Sequence, residues 1–171
     1  MAISAGGYAC AIGLDGTLRC WGAGGQGQLG NGLASPSVQP VAVAGGVAAS
    51  EVAVGTNHSC AANAAGSVWC WGGNDQGQIG NGMTDHEPLP TQMVGVGDAS
   101  LVAVGHSHVC VVRAAGAVSC SGVNGHGALG TGDLATQLKS TAVKGLSGAL
   151  QLSAGQNQTC AVLTGDQLRC W

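Results

Sequence analysis

The stretch CAIGLDGTLRC, residues 10–20, carries two cysteines separated by nine residues, and its recurrence decides the fold. The same unit occurs four times along the chain. The later copies are CAANAAGSVWC at 60–70, CVVRAAGAVSC at 110–120 and CAVLTGDQLRC at 160–170. Each cysteine lies 50 residues after its equivalent, and all 8 cysteines belong to the scheme. A fixed period of this length is typical of a stacked or circular array of repeats.

Each unit is predicted to be a β-hairpin because turn residues occupy its middle. In the second unit, Ala64-Ala65-Gly66 suits a three-residue loop with glycine in the left-handed region. That loop places Asn63 opposite Ser67. Opposed residues on an antiparallel pair have Cβ atoms close enough for a disulfide. Eight cysteines allow 105 connectivities, and the period selects four bridges within the repeats: Cys10–Cys20, Cys60–Cys70, Cys110–Cys120 and Cys160–Cys170.

The rest of the period predicts two further strands around each hairpin. A short apolar run ended by glycine precedes it, at 2–6, 52–55, 102–105 and 152–155, which is typical of a buried strand. A glycine-rich connection follows it, with glycines at 22, 27, 30 and 32 and again 50 and 100 residues later. The apolar residue inside that connection, Leu29, Ile79 or Leu129, is predicted to plug the core.

A weaker fourth strand begins at Val38, Leu89 and Ser140 in the first three copies. Prolines at 36, 40, 88 and 90 accompany it, and proline inside a sheet is confined to edges, so this strand is predicted to be outermost. Four short strands per ~50-residue repeat indicate an all-β propeller of four-stranded antiparallel blades. The chain is predicted to be one array over 1–171, about three and a half blades: 2–50, 51–100, 101–150 and an incomplete 151–171.

Composition agrees with strands buried on both faces. Only 8% of residues are charged, against about 25% in an average soluble domain. The net charge of −3 and the absence of lysine or arginine runs argue against nucleic acid and anionic membranes as partners. No apolar stretch reaches transmembrane length. The paired cysteines indicate an oxidising compartment, so the protein is expected to be secreted or on the cell surface.

The repeat resembles the regulator of chromosome condensation (RCC1) repeat family. The resemblance rests on the stretch from Gly66 to Gly72, the loops GQLGNG and GQIGNG, and the proline-containing fourth strand. It covers essentially the whole chain and implies a propeller, usually of seven blades. The paired cysteines look like those of bacterial extracellular relatives. Ser121 departs from the tryptophan that occupies its position in the other copies, at Trp21, Trp71 and Trp171.

Seven blades at this period need roughly 350 residues, about twice the present length. Three explanations remain open: a piece of a longer protein, an open arc or small closed ring, or a homo-oligomer in which two chains complete one ring. Met1 is followed at once by repeat sequence, where a secreted precursor would carry a leader, so a mature form or a fragment is expected.

Candidate chemistry is sparse, and no enzyme activity, cofactor or metal site is predicted. His106 and His108 would share a face in a strand, but His58 occupies the same repeat position as His108, which favours a structural role. C-x9-C is not a zinc-ligand spacing. Serine and histidine neighbours on a strand point to opposite faces and cannot pair.

The residues that vary between copies are the predicted binding surface, because binding residues are commonly carried on loops. They are Asn57, His58, Asn74, Asp75, His106, His108, Asn124, His126 and Asn157, together with the off-pattern Trp69. The favoured function is a non-enzymatic extracellular module or scaffold that binds a protein or glycan. The alternative, implied by the resemblance, is regulation of guanine-nucleotide exchange, and the cysteine scheme speaks against it because that work occurs in a reducing compartment.

Overall fold

The computed structural model describes residues 7–171 and the backbone of residues 3–5, and shows a row of four antiparallel sheets. The first contains β1 (Ile3–Ala5), β2 (Tyr8–Ile12), β3 (Leu18–Gly22) and β4 (Ser37–Ala42); the second β5 (Ala49–Val54), β6 (His58–Asn63), β7 (Val68–Gly72) and β8 (Glu87–Gln92); the third β9 (Leu101–Val104), β10 (His108–Val112), β11 (Val118–Gly122) and β12 (Gln137–Ala142); the fourth β13 (Ala149–Ala154), β14 (Thr159–Leu163) and β15 (Gln167–Cys170). We call these sheets blades 1 to 4. Two single 3₁₀ turns occur at Ala44–Gly46 and Ala114–Gly116.

The central pair of strands in each blade is the predicted cysteine hairpin. In blade 2 the backbone N–H of Asn63 donates to the carbonyl of Ser67, and Gly66 has a φ of 84°. Cys60 lies directly opposite Cys70 in the register, and the equivalent pairs are opposed in every blade. All four predicted disulfides are present, and no free cysteine is found among the described residues.

The strand order within a blade follows the chain, so the first strand forms one edge and the fourth the other. The first strands of neighbouring blades contact one another, which places them toward the centre of the array and the proline-bearing strands β4 and β8 at its outside. The third outer strand begins at Gln137, three residues before the predicted Ser140, because Gln137 pairs with Gly122 after a bulge. Ala2 and Gly6, which were predicted to belong to the first strand, lie outside the described residues.

The hydrophobic core lies between blades and not within one. One cluster joins blade 1 to blade 2, a second joins blades 2 and 3, and a third joins blades 3 and 4. Leu29, Ile79 and Leu129 are fully buried, as the sequence predicted. Gly30 has a φ of 67°, and a Cβ on it would lie 2.7 Å from Nε1 of Trp71 on the next blade. The glycine-rich connection thus lets each blade approach the following one closely.

Candidate functional site

The turns between the first and second strands of the blades line a groove at the centre of the array. The groove has a volume of about 660 Å³ and is walled by residues 54–57, 104–106 and 154–156, with Gly7 and Ala23 from blade 1. The side chains at one equivalent position are Thr56, His106 and Gln156, and all three are exposed. The Thr56 hydroxyl and the Nδ1 of His106 are hydrogen-bonded at 2.8 Å. The three equivalent turns therefore present different polar side chains to the same groove.

The ten predicted surface residues divide by burial. Asp75, His106, His126 and Asn157 are exposed, while Asn57 and Trp69 are half-buried. Trp69 lies inside β7, where it pairs with Ala61 and Gln92, and not on a loop. The remaining four are at most 1% exposed and cannot present a binding surface: His58, His108, Asn74 and Asn124. For these four the prediction of an exposed contact was wrong.

Asn74 and Asn124 hold the glycine-rich connections in shape. The Oδ1 of Asn74 accepts a hydrogen bond from the N–H of Ile79, and its Nδ2 donates to the carbonyl of Met83. Asn124 does the same with Leu129 and Asp133. A buried amide with both ends bonded fixes the loop at low cost, because its polar atoms are satisfied. Blade 1 has Gly24 at the equivalent position, so its loop lacks this support from an asparagine side chain.

His108 takes part in a contact that recurs between blades. Its Nε2 is hydrogen-bonded at 3.0 Å to Oγ1 of Thr159, which in turn donates to the carbonyl of Ala128. The same chain between blades 1 and 2 links the Tyr8 hydroxyl, the Ser59 hydroxyl and the carbonyl of Gln28. Burial lowers the pKa of His108 to about 4 and raises the pKa of Tyr8 above its usual value.

His58 occupies this position between blades 2 and 3 but lacks the contact. Val109 stands where the neighbouring interfaces have Ser59 and Thr159, so this position carries no hydroxyl. Neither ring nitrogen of His58 has a hydrogen-bond partner among the described residues. Burial lowers the pKa of His58 to about 4, an effect that the nearby carbonyl of His108 opposes. The imidazole is therefore neutral at pH 7, because the desolvation of its ring outweighs the effect of the His108 carbonyl.

A second, smaller cavity of about 150 Å³ lies between the loops of blades 3 and 4. Four of the predicted residues line it, namely His106, His108, His126 and Asn157, so the structure brings them to one place. The sequence analysis missed the other lining residues, which are Ser107, Val123, Ala128 and Gln156. Ala128 carries a signal in the repeat, because glutamine occupies the equivalent positions Gln28 and Gln78.

Within the described residues, no group of three or more histidine, cysteine, aspartate or glutamate side chains is arranged to hold a metal ion. In that same part of the chain, no helix has the length and apolar character needed to cross a bilayer.

Comparison with known proteins defines the family. The model of the regulator of chromosome condensation (RCC1) repeat matches residues 15–62 and 65–112, and a second model with the same description matches residues 49–78. No curated protein sequence matches the chain significantly.

The solved structures that are similar to the chain include the following three. Yeast RCC1 (Prp20), solved with Kap60, is 18% identical, with a TM-score of 0.86 over 99% of this chain and 42% of that one. Human WBSCR16 is 20% identical, with a TM-score of 0.84 over 96% and 44% of the two chains. The ectodomain of the Arabidopsis thaliana receptor kinase ACR4 is 22% identical, with a TM-score of 0.57 over 99% and 48%.

The chain spans less than half the length of each of these proteins. At these identities the likeness concerns the fold, while the family models together cover more than half of the sequence. The chain belongs to the RCC1 repeat family, and its four sheets are blades of an RCC1-type β-propeller.

Proposed function

We propose that the protein is a non-enzymatic extracellular module that binds a protein or glycan through the loops around its central groove. The observation that carries the proposal is the contrast between backbone and side chain at one end of the blades. The turns at 55–57, 105–107 and 155–157 repeat the same backbone, while their exposed side chains differ. A rigid scaffold that presents variable polar loops suits recognition.

Two observations support a protein partner and an extracellular setting. The similar yeast RCC1 was solved bound to another protein, Kap60, and the similar ACR4 structure is a receptor ectodomain. All eight cysteines of the chain form disulfides, which persist in oxidising compartments. The same disulfides speak against the exchange-factor alternative, because they are out of place in a reducing compartment.

The groove is tested with a loop variant that combines Thr56→Ala, His106→Ala and Gln156→Ala. The protein and the variant are compared on arrays of extracellular proteins and glycans, and hits are measured by calorimetry. We expect at least a tenfold loss of affinity with an unchanged melting temperature, because all three side chains are exposed. The control combines Gln39→Ala and Gln92→Ala on the exposed outer strands. Binding that survives the loop variant but fails in the control would place the partner on the outside of the array.

We further propose that the array completes its ring by association with a second copy. Blade 1 has no preceding blade in the described residues, and Leu14 on its end face is 100% exposed. Blade 4 has no fourth strand there, and Leu168 in β15 is 68% exposed. Apolar blade faces and unpaired strand edges favour association.

A further inference from the structure

The cavity between blades 3 and 4 has the features of a small polar binding site. Its walls include His106 and His108 from blade 3, His126 and Ala128 from the glycine-rich connection, and Gln156 and Asn157 from blade 4. A volume of about 150 Å³ is below the roughly 300 Å³ at which pockets for drug-sized ligands begin. The cavity therefore suits one functional group of a larger partner and not a whole small molecule.

The cavity exists because one side chain of the repeat is missing. In blades 1 and 2 the Oε1 atoms of Gln28 and Gln78 turn back and accept the backbone N–H of Gln26 and Gln76, each at 2.9 Å. Both glutamines are 3% exposed, so their side chains fill this space. Blade 3 has Ala128 at the equivalent position, and its methyl group leaves the space open.

The same change frees a backbone donor. The N–H of His126 is equivalent to those of Gln26 and Gln76, and it has no hydrogen-bond partner among the described residues. In the neighbouring blades the equivalent N–H groups of Gln26 and Gln76 donate to an amide oxygen, supplied by Gln28 and Gln78. An incoming oxygen in the cavity would take the place of that glutamine Oε1.

The other polar groups of the cavity include further hydrogen-bond donors. Nδ1 of His106 is already hydrogen-bonded to the hydroxyl of Thr56, so Nε2 is the ring nitrogen left for a ligand. Gln156 and Asn157 are exposed and carry amide N–H groups. His108 is closed to a ligand on its Nε2 side, because that atom is bonded to Thr159. No carboxylate, lysine, arginine or aromatic ring other than imidazole lines the cavity.

We propose that this cavity binds the carboxylate of an acidic side chain on the protein partner, with the N–H of His126 as the central donor; this rests on the proposed binding function. A carboxylate accepts several hydrogen bonds at once, and bonds to a charged acceptor are stronger than neutral ones.

The test uses Ala128→Gln, which restores the side chain of blades 1 and 2. The probes are two capped pentapeptides that differ only in the central residue, glutamate or glutamine, titrated into ¹⁵N-labelled protein. We expect the His126 amide resonance to shift saturably with the glutamate peptide and at least tenfold more weakly with the glutamine peptide. In Ala128→Gln the response should be lost, while the unfolding midpoint stays the same or rises, because the cavity is filled and the N–H is paired.

A matched gain-of-site control is Gln78→Ala, which should open the equivalent space between blades 2 and 3. In that variant the Gln76 amide should respond to the glutamate peptide, whereas it should not in the unchanged protein. If Ala128→Gln does not fold, Ala128→Met fills the same space and replaces it in the comparison.

Three results would overturn the proposal: no movement of the His126 amide, an equal response to both peptides, or a response that persists when the cavity is filled. A response to a neutral monosaccharide in place of the glutamate peptide would assign the cavity to glycans and reject the carboxylate. A partner that binds Ala128→Gln normally but not the loop variant at Thr56, His106 and Gln156 would leave the proposed function standing and remove this inference alone.

Discussion

At the residue scale, the three interfaces between blades use the same pair of positions differently. Ser59 is hydrogen-bonded to Tyr8 at 2.9 Å and Thr159 to His108 at 3.0 Å. At the third interface Val109 holds the equivalent position, and the ring nitrogens of His58 have no partner among the described residues. Leaving a buried polar group unpaired costs about 1–3 kcal/mol. The interface between blades 2 and 3 therefore lacks a hydrogen bond that a hydroxyl group provides at the other two interfaces.

The repair is Val109→Thr, which keeps the shape of the side chain and adds one hydroxyl. We expect it to raise the free energy of unfolding by about 1 kcal/mol, because the hydroxyl can pair with His58 and donate to the carbonyl of Gln78. The measurement is chemical denaturation at pH 7.5 under non-reducing conditions. Val111→Thr is the control, since Val111 is equally buried and lies in the apolar cluster. Equal destabilisation by both changes would contradict the pairing.

The two buried histidines predict a pH dependence of stability. The pKa values of His58 and His108 are lowered from 6.5 to about 4 by burial, so the folded protein stays neutral there while the unfolded chain takes up protons. The free energy of unfolding should therefore fall as the pH drops from 6.5 toward 4, by on the order of 2–3 kcal/mol per histidine. Urea denaturation between pH 7.5 and 4.5 measures it.

Four carboxyl groups with shifted pKa values also affect how the free energy of unfolding depends on pH. Burial raises the pKa of Glu51, so this residue gains protons more readily when folded and opposes the loss. A hydrogen bond from Thr17 lowers the pKa of Asp15, and one from Thr131 lowers the pKa of Asp133. The hydrogen-bonded ion pair with Arg113 lowers the pKa of Asp98. The stability that these three carboxylates contribute is lost only at more acidic pH. The control is the double variant His58→Gln and His108→Gln, because Gln158 holds this position in blade 4. An undiminished slope in that variant would assign the pH dependence elsewhere.

At the element scale, the glycine-rich connections of blades 1 to 3 pack against residues at or next to the third strand of the following blade. Gly30 and Gly130 lie against Trp71 and Trp171, but Gly80 lies against Ser121 and Met93. Met93 stands where the other blades have Val43 and Val143, and it is 1% exposed. The longer side chain thus fills the space that the missing tryptophan leaves, while the Ser121 hydroxyl donates to the carbonyl of Gln78 as the Trp71 Nε1 does to Gln28.

This compensation predicts a non-additive pair of substitutions. Met93→Val alone should cost about 1–2 kcal/mol by leaving a cavity, and Ser121→Trp alone should cost about 1–3 kcal/mol by overpacking. Together they rebuild the arrangement of blades 1 and 3, so the double variant should lose less than the sum. A double-mutant cycle from urea unfolding measures the difference. Strict additivity would show that Met93 and Ser121 do not share one space.

The disulfide of each hairpin is expected to stabilise its blade through the unfolded chain. Each bridge closes a loop with a sequence separation of 10, for which the loop-entropy estimate is about 2–3 kcal/mol. Removing the blade 2 bridge by Cys60→Ala with Cys70→Ala should lower the unfolding midpoint accordingly, and reduction of the unchanged protein should lower it further. Thermal unfolding with and without reductant is the measurement. A midpoint insensitive to reduction would argue against four native bridges.

At the scale of the whole molecule, the exposed end faces predict association. We expect sedimentation velocity under non-reducing conditions to show a dimer whose population grows with concentration. Trp21, half-buried on the end face of blade 1, should contribute, because Trp71 and Trp171 pack against a preceding blade. Trp21→Ser should weaken association at least tenfold, and Leu89→Ser, an exposed change on an outer strand, should not. A monomer at every concentration with all thiols oxidised would reject ring completion by a second copy.

The architecture followed from local patterns in the sequence. The hairpin turns, the opposed cysteines and the buried Leu29, Ile79 and Leu129 could all be predicted, because each depends on residues close in the chain and recurs with one period. The propeller fold followed from the number of strands in that period. The outer strands of blades 1, 2 and 3 begin at Ser37, Glu87 and Gln137, before the predicted Val38, Leu89 and Ser140. In each blade the pairing resumes after a bulge, opposite Gly22, Gly72 and Gly122, which the local pattern does not reveal.

By itself, the sequence determined the repeat, the disulfides and the fold, because hydrogen-bonding partners within a hairpin lie few residues apart. Only the tertiary structure decided which polar side chains are buried. His58, His108, Asn74 and Asn124 vary between repeats as surface residues do, yet they lie inside. The environment of His58 depends on the next blade, which supplies the nearby carbonyl of His108. The cavity at Ala128 is completed by Gln156 and Asn157. Burial and pairing across an interface depend on two repeats at once, which the pattern of a single repeat does not contain.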